Sequence, residues 1–272
     1  MGIDLGRFGV WRRVGEIPAE LAVAVEELGY GAIWVGGSPP GDLTAIEEVL
    51  QVTERIPVVT GIVNIWRDDA ATAGRSYLRI EERYPDRFVL GIGVGHPEGI
   101  KDYRKPLVVV GDYIDRLRAL GVPKDRLVLA ALGPRALRLA AERTAGAHPY
   151  LTTPRHTEMA RRVMGEGPLL APEHKVILGD GDARERGRRI VSRYLRLVNY
   201  RRNLLREGWK PADLDGGGSD QLVDALVLHG DAEKVAAGLR AHLDAGADHL
   251  GIQALGDDPL AEYRTLAGFL LR

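Results

Sequence analysis

The chain contains no cysteine, and this one absence removes disulfides, thiolate zinc sites and cysteine nucleophiles together. Aromatic residues make up only 6% of the 272 residues while 45% are hydrophobic, so a core has to be built mainly from Val, Ile, Leu and Ala. An excess of one charge is missing too. The 37 basic residues face 38 acidic ones, a formal net charge of -1, which gives no overall electrostatic footprint for nucleic acid or an anionic membrane. No run of eighteen apolar residues occurs, and Met1-Gly-Ile-Asp-Leu-Gly-Arg7 lacks the basic-then-apolar pattern of a secretion signal, so a soluble cytoplasmic protein is expected. The absence of Gly-x-Ser-x-Gly argues against a serine hydrolase. Seven histidines without His-Glu-x-x-His spacing predict no catalytic metal.

What is present is an alternation of short apolar runs with longer segments of helical period. Strands are expected at Ile3 to Val10, Ala32 to Val35, Val58 to Val63, Phe88 to Ile92, Leu127 to Ala131, Ala147 to Tyr150, Lys175 to Leu178 and His249 to Ala254. Helices are expected at Pro18 to Leu28, Ala70 to Tyr84, Asp112 to Leu120, Pro134 to Thr144, Pro154 to Met164, Ala183 to Arg206 and Asp231 to Ala245. The runs are nearly continuous in apolar residues, as in a parallel sheet covered on both faces. Eight βα units at this length predict an α/β chain, a (β/α)8 TIM barrel spanning 1-272 as one domain, with a helical insertion or lid between Ala183 and Leu228 before the last strand.

In such a barrel ligands lie at the carboxyl ends of the strands, so the residues that end each apolar run are informative. Leu90-Gly-Ile-Gly-Val-Gly-His-Pro97 ends the fourth run, and Gly93 and Gly95 either bring a flat ligand against the backbone or serve a turn with positive φ. Leu151-Thr-Thr-Pro-Arg-His156 follows the sixth run. It offers an N-cap at Thr153, a proline at the first helical position and an anion-binding helix start, or a capped helix and nothing more. Small residues end the fifth run at Ala130-Ala-Leu-Gly-Pro134, and Asn64 ends the third, either at a ligand or bonding its own backbone. Trp11 and Trp66 follow strand ends and are the tryptophans best placed for a pocket wall.

Taken in order, Leu90 to Pro97, Tyr103-Arg-Lys-Pro-Leu107, Leu129-Ala-Ala-Leu-Gly-Pro-Arg135, Gly146-Ala-His-Pro-Tyr150, Thr153-Pro-Arg-His156 and Asp244-Ala-Gly-Ala-Asp-His-Leu250 resemble the luciferase-like monooxygenase superfamily. More narrowly they are similar to its actinobacterial branch of probable F420-dependent oxidoreductases. The resemblance runs from Gly9 to the carboxyl terminus. It implies a luciferase-like barrel that binds the deazaflavin F420, or alternatively FMN, and transfers a hydride to or from an organic substrate, most often as a homodimer. The alternatives it leaves are an FMN-dependent two-component monooxygenase and a non-catalytic flavin-binding homologue. A cis peptide that supports the cofactor ring is implied at Asn64-Ile65. Cofactor contacts are implied at Gly93, Val94 and Gly95, at Ala130, Ala131 and Leu132, and at Thr152, Thr153 and His156. Where sugar-phosphate dehydrogenases of the superfamily carry a catalytic histidine after the second strand, this chain has Gly36-Gly-Ser-Pro-Pro40. His96 is then the best-placed candidate for proton transfer, with Asp42 and Glu98 behind it.

Overall fold

The computed structural model describes residues 2–96, 98, 105–179 and 181–271; Pro97, Tyr103 and Arg104 of the motifs above lie outside them. Each apolar run becomes a strand: β1 (Phe8–Arg13), β2 (Ile33–Gly36), β3 (Val58–Gly61), β4 (Val63–Asn64), β5 (Phe88–Gly93), β6 (Leu127–Leu129), β7 (Gly146–Ala147), β8 (Leu169–Leu170), β9 (Glu173–Leu178), β10 (Val227–Gly230) and β11 (Leu250–Ala254). The connecting helices are α1 (Ala19–Glu27), α2 (Thr44–Val52), α3 (Ala70–Arg83), α4 (Pro106–Ala119), α5 (Pro134–Arg143), α6 (Pro154–Met164), α7 (Ala183–Tyr194), α8 (Val198–Arg206), α9 (Asp220–Leu226), α10 (Ala232–Asp244) and α11 (Pro259–Leu270). None of the described helices is long and apolar enough to cross a membrane.

The named strands pair in parallel in the order β10-β9-β11-β1-β2-β3-β5-β6-β7-β8, with β4 on β5. The sheet closes because β8 and β9 are one strand, interrupted only at Ala171 and Pro172. On one edge Leu169, Ala171 and Glu173 donate to the carbonyls of Ala145, Ala147 and Pro149; on the other, Asp248 and Gly251 donate to Leu170 and Pro172. Pro172 brings no N–H of its own, which is why the ladder breaks there. The expected (β/α)8 barrel is therefore present, with β10 extending the edge of β9 beyond the end of β7.

Inward-facing residues of neighbouring strands fill the barrel. Trp11, Trp34, Val59, Val89, Val128 and Ala171 form one buried cluster, while a larger one lies between strands and helices. Trp34 stacks on His148 at 4.1 Å between ring centroids, and its Nε1 donates to His249 Nε2 at 2.9 Å. At Gly31 an added Cβ would stand 2.0 Å from the Leu5 carbonyl oxygen, so the chain before β1 packs backbone to backbone. The strand expected from Ile3 starts only at Phe8. The single helix expected over 183–206 breaks into α7 and α8, and the insertion also contributes α9, β10 and a buried cluster of its own.

One inward pair is charged. Glu173 and Lys175, two residues apart on β9, share a face, and Lys175 Nζ lies 2.9 Å from both carboxylate oxygens in a fully buried setting. Burial pushes the glutamate up and the lysine down, and their contact opposes both shifts without cancelling either. Nζ also sits 3.7 Å from the centroid of the Tyr150 ring. Lys175→Met strands one buried charge and should lower stability by about 3–5 kcal/mol in urea unfolding, while Glu173→Leu combined with Lys175→Met should restore most of the loss. A single variant as stable as the parent chain would contradict this account of the pair.

Candidate functional site

The carboxyl ends of the strands surround a cavity of about 670 Å³. Trp11 and Arg13 enter it from β1, Gly37 and Ser38 follow β2, and Gly61, Ile62 and Asn64 come from the break between β3 and β4. Val94, Gly95, His96 and Glu98 follow β5; Ala130, Ala131, Leu132 and Gly133 follow β6; and His148 and Tyr150 follow β7. The insertion closes the far side with Tyr194, Leu197, Asn199 and Tyr200. Arg13 and Glu98 are exposed at the mouth, and the deeper wall is aromatic, aliphatic or glycine.

The break in the third strand falls earlier than the sequence implied. The cis peptide is Gly61-Ile62, not Asn64-Ile65. Register explains the position: β3 leaves the ladder after Val59, and the Thr60 hydroxyl takes over by donating to Gly91 O and accepting from Gly91 N. The chain rejoins the ladder at Val63 and Asn64, opposite Ile92 and Gly93. Asn64 thus stays in the sheet, accepts from Trp66 N as a residue bonding its local backbone would, and lines the cavity. Ile65 is buried in the core, away from the cavity. Trp11 reaches the wall as expected, while Trp66 does not line it and donates to Val94 O.

The two glycines of interest separate. Gly93 does not line the cavity, because Ile62 and Ala130 side chains would each lie 2.9 Å from a Cβ there. Gly95 does line it. With φ +57° and Asn64 Nδ2 2.7 Å from an added Cβ, it needs glycine both for its backbone and for its neighbour. Val94, Ala130, Ala131 and Leu132 join it on the wall.

The anion site expected at Thr152, Thr153 and His156 is closed by protein. All three are buried outside the cavity lining. Thr153 caps α6, accepting from His156 N, but its hydroxyl donates to Glu207 Oε2 at 2.8 Å. His156 Nε2 bonds Leu132 O behind the wall. Burial pushes the Glu207 carboxyl up to about 7, and a carboxyl group stands where the phosphate was expected. The neighbouring helix start does open on the cavity: Gly133 caps α5, and Arg206 Nη1 approaches to 3.7 Å from its Cβ position.

His96 sits at the mouth with Nδ1 3.3 Å from Asn199 Oδ1, and burial lowers its pKa despite that bond and the nearby Glu98. Deeper in, sequence reasoning had weighed His148 only as a metal ligand and so missed its place on the wall. Its position directly after the β7 run was the available signal. His148 Nδ1 lies 2.6 Å from Ala171 O, while its Nε2 and the Nε1 of Trp11 have no partner among the described residues. Also among these residues, no three His, Cys, Asp or Glu side chains converge as a metal site.

Comparison with known proteins agrees with the resemblance read from the motifs. A family model described as luciferase-like monooxygenase matches residues 14–121. Among solved structures, an F420-dependent secondary alcohol dehydrogenase in complex with an F420-acetone adduct superposes with TM-score 0.77 at 15% identity, covering 97% of both chains. A coenzyme F420-dependent tetrahydromethanopterin reductase from Methanopyrus kandleri gives 0.76 at 14% identity over 98% of both. The oxygenating constituent of 3,6-diketocamphane monooxygenase from Pseudomonas putida, in complex with FMN, gives 0.66 at 15% over 96% of both. At these identities the likeness is one of fold. No curated protein matches the sequence.

Burial lowers the pKa of His148, His156 and His249 to about 4 and of His174 to about 3, against 6.5 for a free imidazole. The unfolded chain therefore binds more protons than the folded one from about pH 6.5 down to 4, and these rings make stability fall with acid in that window. Glu207 works the other way between about 4.5 and 7, and the four histidines outnumber it. The urea midpoint should drop from pH 7 to 4.5, and the ring protons of these four histidines should keep their neutral-form shifts at pH 5.5. A ring among them titrating near 6.5 would contradict the burial described here.

Proposed function

We propose that the chain is an oxidoreductase of the luciferase-like superfamily, in its F420-dependent branch, transferring a hydride between F420 and an organic substrate at the carboxyl rim of the barrel. The observation that carries this reading is the cavity itself: its floor and one wall are backbone, at Gly61 and Gly95, where a Cβ would meet Trp11 or Asn64 at 2.7–2.8 Å. Small residues at Ala130 and Ala131 continue that wall. A flat tricyclic ring fits such a cradle. The F420-dependent dehydrogenase and reductase superpose with higher TM-scores than the FMN-bound monooxygenase, which supports F420 over FMN.

Bound there, the cofactor supplies the hydride chemistry, and the protein supplies orientation, electrostatics and exclusion of water. Asn64, Val94, Gly95, Ala130, Ala131 and Leu132 hold the ring. The start of α5 at Gly133, with Arg206 beside it, takes the anionic end, a role first expected of Thr152, Thr153 and His156. His96 is neutral at pH 7, its Nδ1 donates to Asn199, and its Nε2 is left to accept the proton that accompanies hydride transfer. Gly37 and Ser38 line the rim after β2 and bring no titratable group, so the strand after which the superfamily's dehydrogenases carry their histidine does not compete with His96 for this task. The protein acts in the cytoplasm as one barrel domain and assembles as a homodimer. The family model's description as a monooxygenase favours FMN and oxygen as the second reading.

Fluorescence titration with oxidised F420 and with FMN tests this directly. We expect F420 to bind at micromolar concentration or tighter, and Gly95→Leu to weaken it at least tenfold by filling the wall. Tighter FMN binding would move the chain to the monooxygenase reading, and binding of neither would end the cofactor reading altogether.

A further inference from the structure

His96 stands half-buried on the cavity wall, in the loop that leaves β5, and its imidazole makes no hydrogen bond to the barrel among the described residues. The hydrogen bond and the ring contact that fix it both come from the first turn of α8, inside the insertion. Asn199 Oδ1 lies 3.3 Å from His96 Nδ1. The next residue, Tyr200, is buried and packs its ring against the imidazole with centroids 5.3 Å apart at 49°. Tyr200 is held in turn by Tyr194 and Tyr150, at 5.3 and 6.4 Å. The residue before Asn199 ties the same loop again, since Val198 N donates to Glu98 Oε1 at 2.8 Å.

The bond to Asn199 decides where the imidazole carries its hydrogen. A carboxamide oxygen only accepts, so Nδ1 is the protonated nitrogen and the neutral ring keeps its lone pair on Nε2. Nε2 has no partner among the described residues, and the ring borders the cavity. A free imidazole in water prefers the opposite tautomer, so this state is one the protein imposes. Glu98 is the charged group that bears on the ring, and both it and Asn199 favour the imidazolium; burial opposes them and prevails. Tyr200, whose phenol burial pushes well above its ordinary range, adds no charge at pH 7.

We propose that Asn199 is the positioning residue of the site: it sets the tautomer of His96 and leaves the Nε2 lone pair free to accept, so that the insertion rather than the barrel prepares the proton acceptor. The use of that lone pair rests on the oxidoreductase reading. The tautomer does not, and its test uses no cofactor, so that either can fail without the other.

The full chain, 15N-labelled at histidine and free of cofactor, is followed through the two-bond couplings between ring protons and ring nitrogens as the pH is varied, with His96 assigned by its loss in His96→Gln. In the neutral form the parent ring should show a protonated Nδ1 and a bare Nε2. Asn199→Ala removes the acceptor and should make Nε2–H the major form. Asn199→Asp keeps an acceptor at the same place and adds a charge, so it should restore the Nδ1–H form and raise the titration midpoint above the parent's by about one pH unit or more. A residue that served only to pack would leave the tautomer where it is. Near-UV circular dichroism checks that each variant is folded, and the parent chain's own tautomer decides if one is not. A parent ring protonated at Nε2, or a tautomer unchanged in folded Asn199→Ala, would overturn the proposal.

Discussion

The strand from Leu169 to Leu178 carries the architecture, because it joins the first strand of the sheet, through β11, to β7 and so closes the barrel. Its first half pairs with β7 and its second with β10 on one edge, and β11 runs along the other. Without it β7 and β11 would each be left with an open edge. The same strand places Glu173 and Lys175 inside the barrel, where two charges survive only because each is within 2.9 Å of the other. That pair fixes Tyr150, whose ring lies over Lys175 and whose hydroxyl meets Tyr194 at 2.8 Å and Gln253 at 3.2 Å. The back wall of the cavity is thus set from the barrel interior outward.

Through Tyr150 the insertion is tied to the barrel rather than hung above it. Tyr194 ends α7 and Tyr200 lies in α8, and both pack on Tyr150 with ring centroids 5.3 and 6.4 Å away. On the opposite side Glu98 Oε1 accepts from Val198 N at the start of α8, and His96 meets Asn199. At its far end α8 supplies Glu207 to Thr153 and Asn203 to Glu207. One short helix therefore contacts the loops after β5 and β7 together. The segment anticipated as a lid is held at three separate points by hydrogen bonds to the barrel or its loops.

These connections mark the limit of what was legible in the sequence. Val58 to Val63 or Phe88 to Ile92 read as strands because a strand covered on both faces needs apolar residues at every position, and that requirement is local. Gly95 was legible for a similar reason: a glycine beside the end of an apolar run signals a close approach. The closing of the anion site was not, because Glu207 reaches Thr153 from 54 residues away, and no local pattern records that distance. The Gly61-Ile62 break was placed late because the polar Asn64 looked like the strand's end, whereas Thr60 side-chain bonds to Gly91 release the ladder sooner. His148 escaped notice since a lone histidine carries meaning only once its ring nitrogens have partners, or lack them.

The cavity also sorts chemistry by depth. Groups able to carry charge, Arg13, Glu98 and His96, are at its mouth, and Arg206 comes close at the α5 start. Beneath it, Trp11 Nε1 and His148 Nε2 are buried in an aromatic setting without a partner among the described residues, where an unpaired polar atom costs more than it would in water. Backbone at Gly61 and Gly95 leaves room in between for a flat ring. The depth of the cavity is thus shaped by apolar contact and backbone, and its charged groups are confined to the loops at the mouth.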